Sequence, residues 1–161
     1  VQMSITFPIR SGLKKHALFL FDGVNAAVWN ARRYAWDGKS TEPFLLEWKH
    51  TKEESDDAFK FLQRMLELGE DVSQTDYYGR NCLMEAVSEA NHLCPVKNQD
   101  TGEYYPGRPI TPEMMEDLRR IFKLLIDTGA DQNNVSSYSK KSIREHYENE
   151  PVWQICGELW E

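Results

Sequence analysis

The chain has 161 residues, enough for one domain with a real core and too few for two comfortable ones. Apolar residues make up 40%, aromatics 12% and charged residues 28%, a globular composition that excludes a disordered chain. Its 26 acids against 19 bases leave a net charge of −7, which disfavours a phosphate-binding surface and favours solubility or a basic partner.

Near the N-terminus "ALFLF", residues 17–21, is too short for a signal segment and ends at the turn signal Asp22-Gly23. Asn25 then suits a helix cap, with Val24, Val28, Ala31 and Ala35 on one helical face and Asp37-Gly38 as the stop. A loop rich in turn formers follows, yet it carries Phe44, Leu45, Leu46 and Trp48. Thr51 and Glu54 fit a capping box, and behind them Ala58, Leu62, Met65 and Leu66 form one helical stripe closed by Gly69. Asn81 caps the next expected helix, which buries Leu83, Ala86, Val87 and Ala90. A second long loop spans residues 92–110. Thr111-Pro112 opens a helix with the stripe Met114, Leu118, Ile121 and Leu125, and Gly129 ends it. The tail from Ser142 reads as two short helices broken at Pro151, with a second capping box at Ser142 and Glu145. Stacking end to end on an exposed Trp153 or Trp160 is left open by the sequence, and with it the oligomeric state.

Residues 66–86, "LELGEDVSQTDYYGRNCLMEA", align with residues 126–146, "IDTGADQNNVSSYSKKSIREH". Gly69 falls on Gly129, Asp71 on Asp131, Tyr78 on Tyr138 and Leu83 on Ile143, at an offset of 60 throughout. On this pairing Ser139 takes the place of Gly79, and Lys141 the place of the capping Asn81.

These residues resemble the ankyrin-repeat family. Asp76, Gly79, Leu83 and Ala86 hold positions of the motif Asp-x-x-Gly-x-Thr-Pro-Leu-His-x-Ala, with Asn81 in place of the capping threonine. Gly129, Ala130, Asp131 and Asn133 match the Gly-Ala-Asp-x-Asn that ends a repeat, and Gly69 and Asp71 match it in part. An ankyrin repeat is about 33 residues, so this offset leaves about 27 extra residues between the helices of the middle repeat. The resemblance implies an all-α fold: an ankyrin-like helical solenoid of paired antiparallel helices, with short hairpin loops and two inserted loops. Its single domain, 1–161, would hold repeat 1 at about 22–75 with an insert at 37–52, repeat 2 at about 76–135 with an insert at 92–110, and a capping repeat at about 136–161. In repeat 1 Gly23 would correspond to Gly79 and Asn25 to Asn81.

Ankyrin repeats bind proteins through their hairpin tips and the exposed side of the inner helices. Carried onto this chain, the resemblance implies partner contacts at Tyr77, Tyr78, Arg80, Ser88 and Glu89 in the middle repeat, and at Ser137, Tyr138 and Lys140 in the last. Tyrosine and arginine anchor interfaces because they bury area at low entropic cost and still hydrogen-bond. Trp48, Tyr104, Tyr105 and Arg108 sit in the inserted loops, which either contact a partner or fold back over an apolar flank.

No catalytic motif stands out. The pair His92 and Cys94 has no second pair at ligand spacing, and His16, His50 and His146 are scattered, so neither a metal, a cofactor nor an enzymatic activity is expected. Cys82, Cys94 and Cys156 cannot all pair within one chain, and reduced thiols in a cytoplasmic protein are the expectation. No run approaches the roughly 18 apolar residues of a membrane span. The function expected is a protein–protein interaction module, most specifically an immunity protein that neutralises a cognate toxin, with a basic protein as partner. The alternatives are an adaptor or scaffold, a host-directed ankyrin effector, or an acidic inhibitor of a nucleic-acid enzyme.

Overall fold

The structure, a computed structural model, describes residues 12–31, 50–105 and 109–160, with side chains from residue 19 onward in the first helix. It is all-α. The helices are α1 (Gly12–Asn30), α2 (Lys52–Glu67), α3 (Cys82–Leu93), α4 (Pro112–Asp127), α5 (Ile143–Tyr147) and α6 (Trp153–Cys156), followed by a 3₁₀ turn at Gly157–Leu159. Among the described residues there is no strand, only isolated bridges at Thr75 and Asn81, Lys97 and Tyr104, and Val135 and Ser142. None of the described helices is long and apolar enough to cross a membrane.

One helix departs from expectation. Asp22-Gly23 is not a turn and Asn25 is not a cap, because α1 runs unbroken from Gly12 to Asn30. The reason is tertiary. Gly23 is buried against α2, where a Cβ would lie 2.5 Å from the Met65 sulfur, so the glycine gives α2 room to approach rather than bending the chain. Val24, Ala27, Val28 and Ala31 continue the buried stripe begun at Leu20. The pairings of Gly23 with Gly79 and of Asn25 with Asn81 therefore fail, since Gly79 has φ +70 in a hairpin while Gly23 is helical. Ala35, Asp37-Gly38 and nearly all of the insert at 37–52 lie outside the described residues.

The central elements follow their local signals. The Thr51 hydroxyl accepts the Glu54 N–H at 3.1 Å and opens α2. Thr111 caps α4 through the Met114 N–H at 3.2 Å, with Pro112 at the first helical position. Both long helices end alike: Glu70 N–H donates to the Met65 carbonyl and Ala130 N–H to the Leu125 carbonyl, with Gly69 at φ +96 and Gly129 at φ +110.

The offset of 60 does not persist. In the first hairpin Asp76 N–H donates to the Arg80 carbonyl, and in the second Ser136 N–H donates to the Lys141 carbonyl, one residue further on. Lys140, at φ 59, takes the left-handed position of Gly79, and Ser142 takes the capping position of Asn81. Ser139 and Lys141 are thus not the counterparts, and Ile143 follows its cap as Cys82 does, not as Leu83. The cap decides the register. Ser142 accepts the Glu145 N–H while Glu145 accepts the Ser142 N–H, and a lysine at 141 offers no acceptor to compete.

The apolar core is continuous. Helix α1 packs on α2 and α3, α3 on α4, and α4 on α6. Phe122, Leu118 and Leu125 of α4, Leu83 and Val87 of α3, and Ile143 and Ile155 of the tail all belong to one buried cluster. Between α2 and α4 a polar link joins the buried pair Ser55 and Asp117 at 2.9 Å, with Arg120 reaching Ser55 and Asp56. The tail breaks at Pro151 as expected, but it does not present an exposed end. Trp160 is 8% exposed, its indole N–H donates to the Gln132 carbonyl at 3.1 Å, and its ring lies 5.2 Å from that of Trp153.

Candidate protein-binding surface

Two consecutive hairpins build the surface, and each is fixed by its own side chains. In the first, the Asp76 carboxylate accepts the Tyr78 N–H and the Arg80 N–H, both at 2.9 Å, and the Arg80 Nε as well. In the second, the Ser136 hydroxyl accepts the Tyr138 and Ser139 N–H groups. A short polar residue at the head of each turn folds the chain back and leaves the two following residues at the tip.

The hairpins are also bonded to each other. The Tyr78 carbonyl accepts the Ser137 N–H at 2.9 Å and the Ser136 hydroxyl at 3.1 Å. Asn134 bridges the pair twice, donating to the Gly79 carbonyl and accepting the Asn81 N–H, each at 3.1 Å. Asn81 donates in turn to the Asp131 carbonyl at 2.9 Å. The backbone under the tips is therefore set before any partner arrives.

On this base three tyrosines line up. Tyr77 is 92% exposed, Tyr78 47% and Tyr138 83%. The Tyr77 and Tyr78 rings meet edge to face at 5.3 Å, and Tyr78 meets Tyr138 the same way at 6.0 Å. The Arg80 guanidinium lies over the Tyr78 ring at 5.4 Å and pairs with Asp76 and Glu85. Burial pulls the Arg80 pKa down, and the Glu85 and Asp76 carboxylates reverse it, leaving it above its ordinary value. Burial raises the Glu85 pKa, with Arg80 opposing.

Behind the tyrosines lies a cleft of about 450 Å³, lined by Tyr78, Arg80, Met84, Tyr138, His146 and Tyr147 together with the serines of the second hairpin. Ser139 Oγ and His146 Nε2 are 2.6 Å apart, tying the hairpin to α5. Burial lowers the His146 pKa and the Lys141 charge lowers it further, with Glu145 opposing.

Of the expected contact residues, Tyr77, Tyr78, Arg80, Ser137, Tyr138 and Lys140 gather at these tips. Ser88 and Glu89 lie partly buried on α3. Tyr104 and Tyr105 do not join the tips; they sit about half exposed on a separate hairpin, where Tyr105 N–H donates to the Val96 carbonyl. Tyr104 lines a different cleft, with Trp29, Lys97 and Pro151. Trp48 and Arg108 lie outside the described residues. Sequence reasoning missed Met84, His146 and Tyr147 in the first cleft: Met84 lies on α3 and the other two on α5, outside the hairpin tips to which the contacts were assigned. Among the described residues no three His, Cys, Asp or Glu side chains come together as a metal site. No family model, curated protein or solved structure matches the chain.

Proposed function

We propose that the chain is a protein-binding module of ankyrin-like architecture that binds and neutralises a cognate basic toxin or effector. One observation carries the reading: three exposed or half-exposed tyrosines stand in a row on hairpins whose backbones are already bonded to one another. Large amphipathic rings on a pre-set base lose little entropy on binding, which is what an interface anchor requires. The ankyrin-like part of the reading draws support from the positive-φ glycines Gly69, Gly79 and Gly129 at the turns of that motif. The net charge of −7 would steer a basic partner toward the chain at long range.

The test is an affinity capture with the tagged protein from its source lysate at two salt concentrations, followed by titration of the captured partner. Replacing Tyr77 and Tyr138 together by alanine should leave Tm unchanged and weaken that partner by about 2 kcal/mol or more. Binding retained in the double variant would overturn the reading. A captured set of several weak, neutral partners would instead favour a scaffold.

A further inference from the structure

Three tyrosines belong to the lining of the cleft behind the hairpin tips, and one of them already holds a cation. The Arg80 guanidinium lies over the Tyr78 ring at 5.4 Å. Tyr138 and Tyr147 have no cation over their rings among the described residues. The Tyr138 plane stands 76° from that of Tyr78, so the two rings form adjacent walls at nearly a right angle. Tyr147, on α5, adds a third wall. Tyr138 is almost wholly exposed and its hydroxyl makes no hydrogen bond among the described residues, so the fold gains little from it.

Aromatic faces carry partial negative charge, and rings set at angles around one space attract a cation from several sides. The charged groups of the cleft do not oppose this. Its one guanidinium is held by two carboxylates, Asp76 at 2.8 Å and Glu85 at 3.1 Å, so one positive charge stands against two negative. Lys140 and Lys141 lie on the same hairpin but outside the lining. An incoming carboxylate would therefore find no uncompensated cation on the cleft wall. At about 450 Å³ the cleft is at the small end of binding sites, room for one long side chain, and the soft Met84 thioether suits its apolar stem.

We infer that the cleft behind the hairpin tips receives a lysine or arginine side chain of the protein partner, its cationic head held against the tyrosine rings. The inference rests on the reading of the tips as the protein-contacting surface, and it names what the partner inserts there. The net charge of −7 attracts a basic protein at long range, and the rings then capture one of its basic side chains at contact. Salt screens the first effect more than the second, so the cleft still selects its occupant where steering has faded.

The experiment uses the full chain and needs no identified partner. N-acetyl-L-arginine N-methylamide is titrated into the ¹⁵N-labelled protein, with the amide resonances of Tyr78, Tyr138, Ser139 and Tyr147 followed. The lysine compound, the uncharged citrulline compound of the same shape as arginine, and the glutamate compound are titrated beside it. Saturable shifts with arginine and lysine are expected, with citrulline bound about threefold or more weakly. Tyr138→Leu, which keeps apolar bulk and removes the ring, should weaken arginine about threefold, while Tyr138→Phe should bind it as the parent does. Equal affinity for arginine and citrulline, equal shifts with glutamate, or no shifts with any compound would overturn the inference. Parental affinity in Tyr138→Leu would do so too, as would loss of binding in Tyr138→Phe, which would move the contact from the ring to the hydroxyl. If Tyr138→Leu melts lower than the parent, the citrulline comparison and Tyr138→Phe still decide. Failure of the affinity capture leaves these outcomes readable, because the titration reports on the cleft alone. A captured partner weakened by the tyrosine double variant, with no shifts from any compound, would keep the tips as an interface and remove the basic side chain from the cleft.

Discussion

Gly79 and Gly129 both hold left-handed backbone, at φ +70 and φ +110, but their surroundings differ. A Cβ on Gly129 would meet only a Val72 methyl at 4.0 Å, so alanine there carries the conformational strain and nothing else. A Cβ on Gly79 would stand 2.9 Å from the Ser137 hydroxyl and 3.0 Å from the Ser137 backbone nitrogen, the atom that bonds the Tyr78 carbonyl. Gly129→Ala should therefore destabilise by about 1 kcal/mol, and Gly79→Ala by about 2 kcal/mol or more, since backbone must move as well. Chemical denaturation decides it, and equal losses would mean that the contact between hairpins carries no energy. Both glycines were legible in the sequence because a positive φ leaves a one-letter signature. Lys140 was not: a lysine in that conformation has no signature, and its register is set by Ser142 and Glu145 further on.

At the scale of helices, the crossing of α1 and α2 turns on Gly23 and Met65. Alanine is favoured over glycine in a helix interior by about 1 kcal/mol. Overpacking costs about 1–3 kcal/mol, and the Cβ would press on the Met65 sulfur at 2.5 Å, though a thioether can swing aside. The packing effect should win narrowly, so Gly23→Ala is expected to lower stability by about 1 kcal/mol. In a Met65→Ala background the obstruction is gone, and the same substitution should become stabilising. A cycle of the four proteins by urea denaturation measures the coupling, and additive effects would show that the glycine is not there for the crossing. Local reading failed here for a physical reason. Asp-Gly is a turn signal only when nothing packs on it, and the partner that overrides it lies about forty positions away in the chain. The link between Ser55 and Asp117 was invisible for the same reason, since neither residue signals a partner 62 positions distant. The caps at Thr51, Asn81, Thr111 and Ser142 were legible because each is complete within four residues.

The whole molecule shares one core from α1 to the tail, and its three thiols sample that core at separate points. Cys82 opens α3, Cys94 follows its end, and Cys156 closes α6. All three are buried, and burial pushes each thiol up to about 12. The thiolate is the form that attacks an electrophilic thiol reagent, so at pH 8 the native protein should be inert and reaction should proceed through opened states alone. If the helical core opens as one unit, the three cysteines should be modified at a common rate that rises with urea in step with global unfolding. The short helices α5 and α6 are the place where this would fail, because five- and four-residue helices hold no structure unaided. Their hold on the rest is specific: the Arg119 side chain donates to the Ile155 carbonyl at 2.8 Å, the Gln132 side chain donates to the Leu159 carbonyl, and the Trp160 indole N–H donates to the Gln132 carbonyl. Mass spectrometry of partly modified protein separates the cases. Cys156 reacting early, with little dependence on urea, would show that the tail frays from a stable remainder. Simultaneous modification would show a cleft as rigid as the core beneath it.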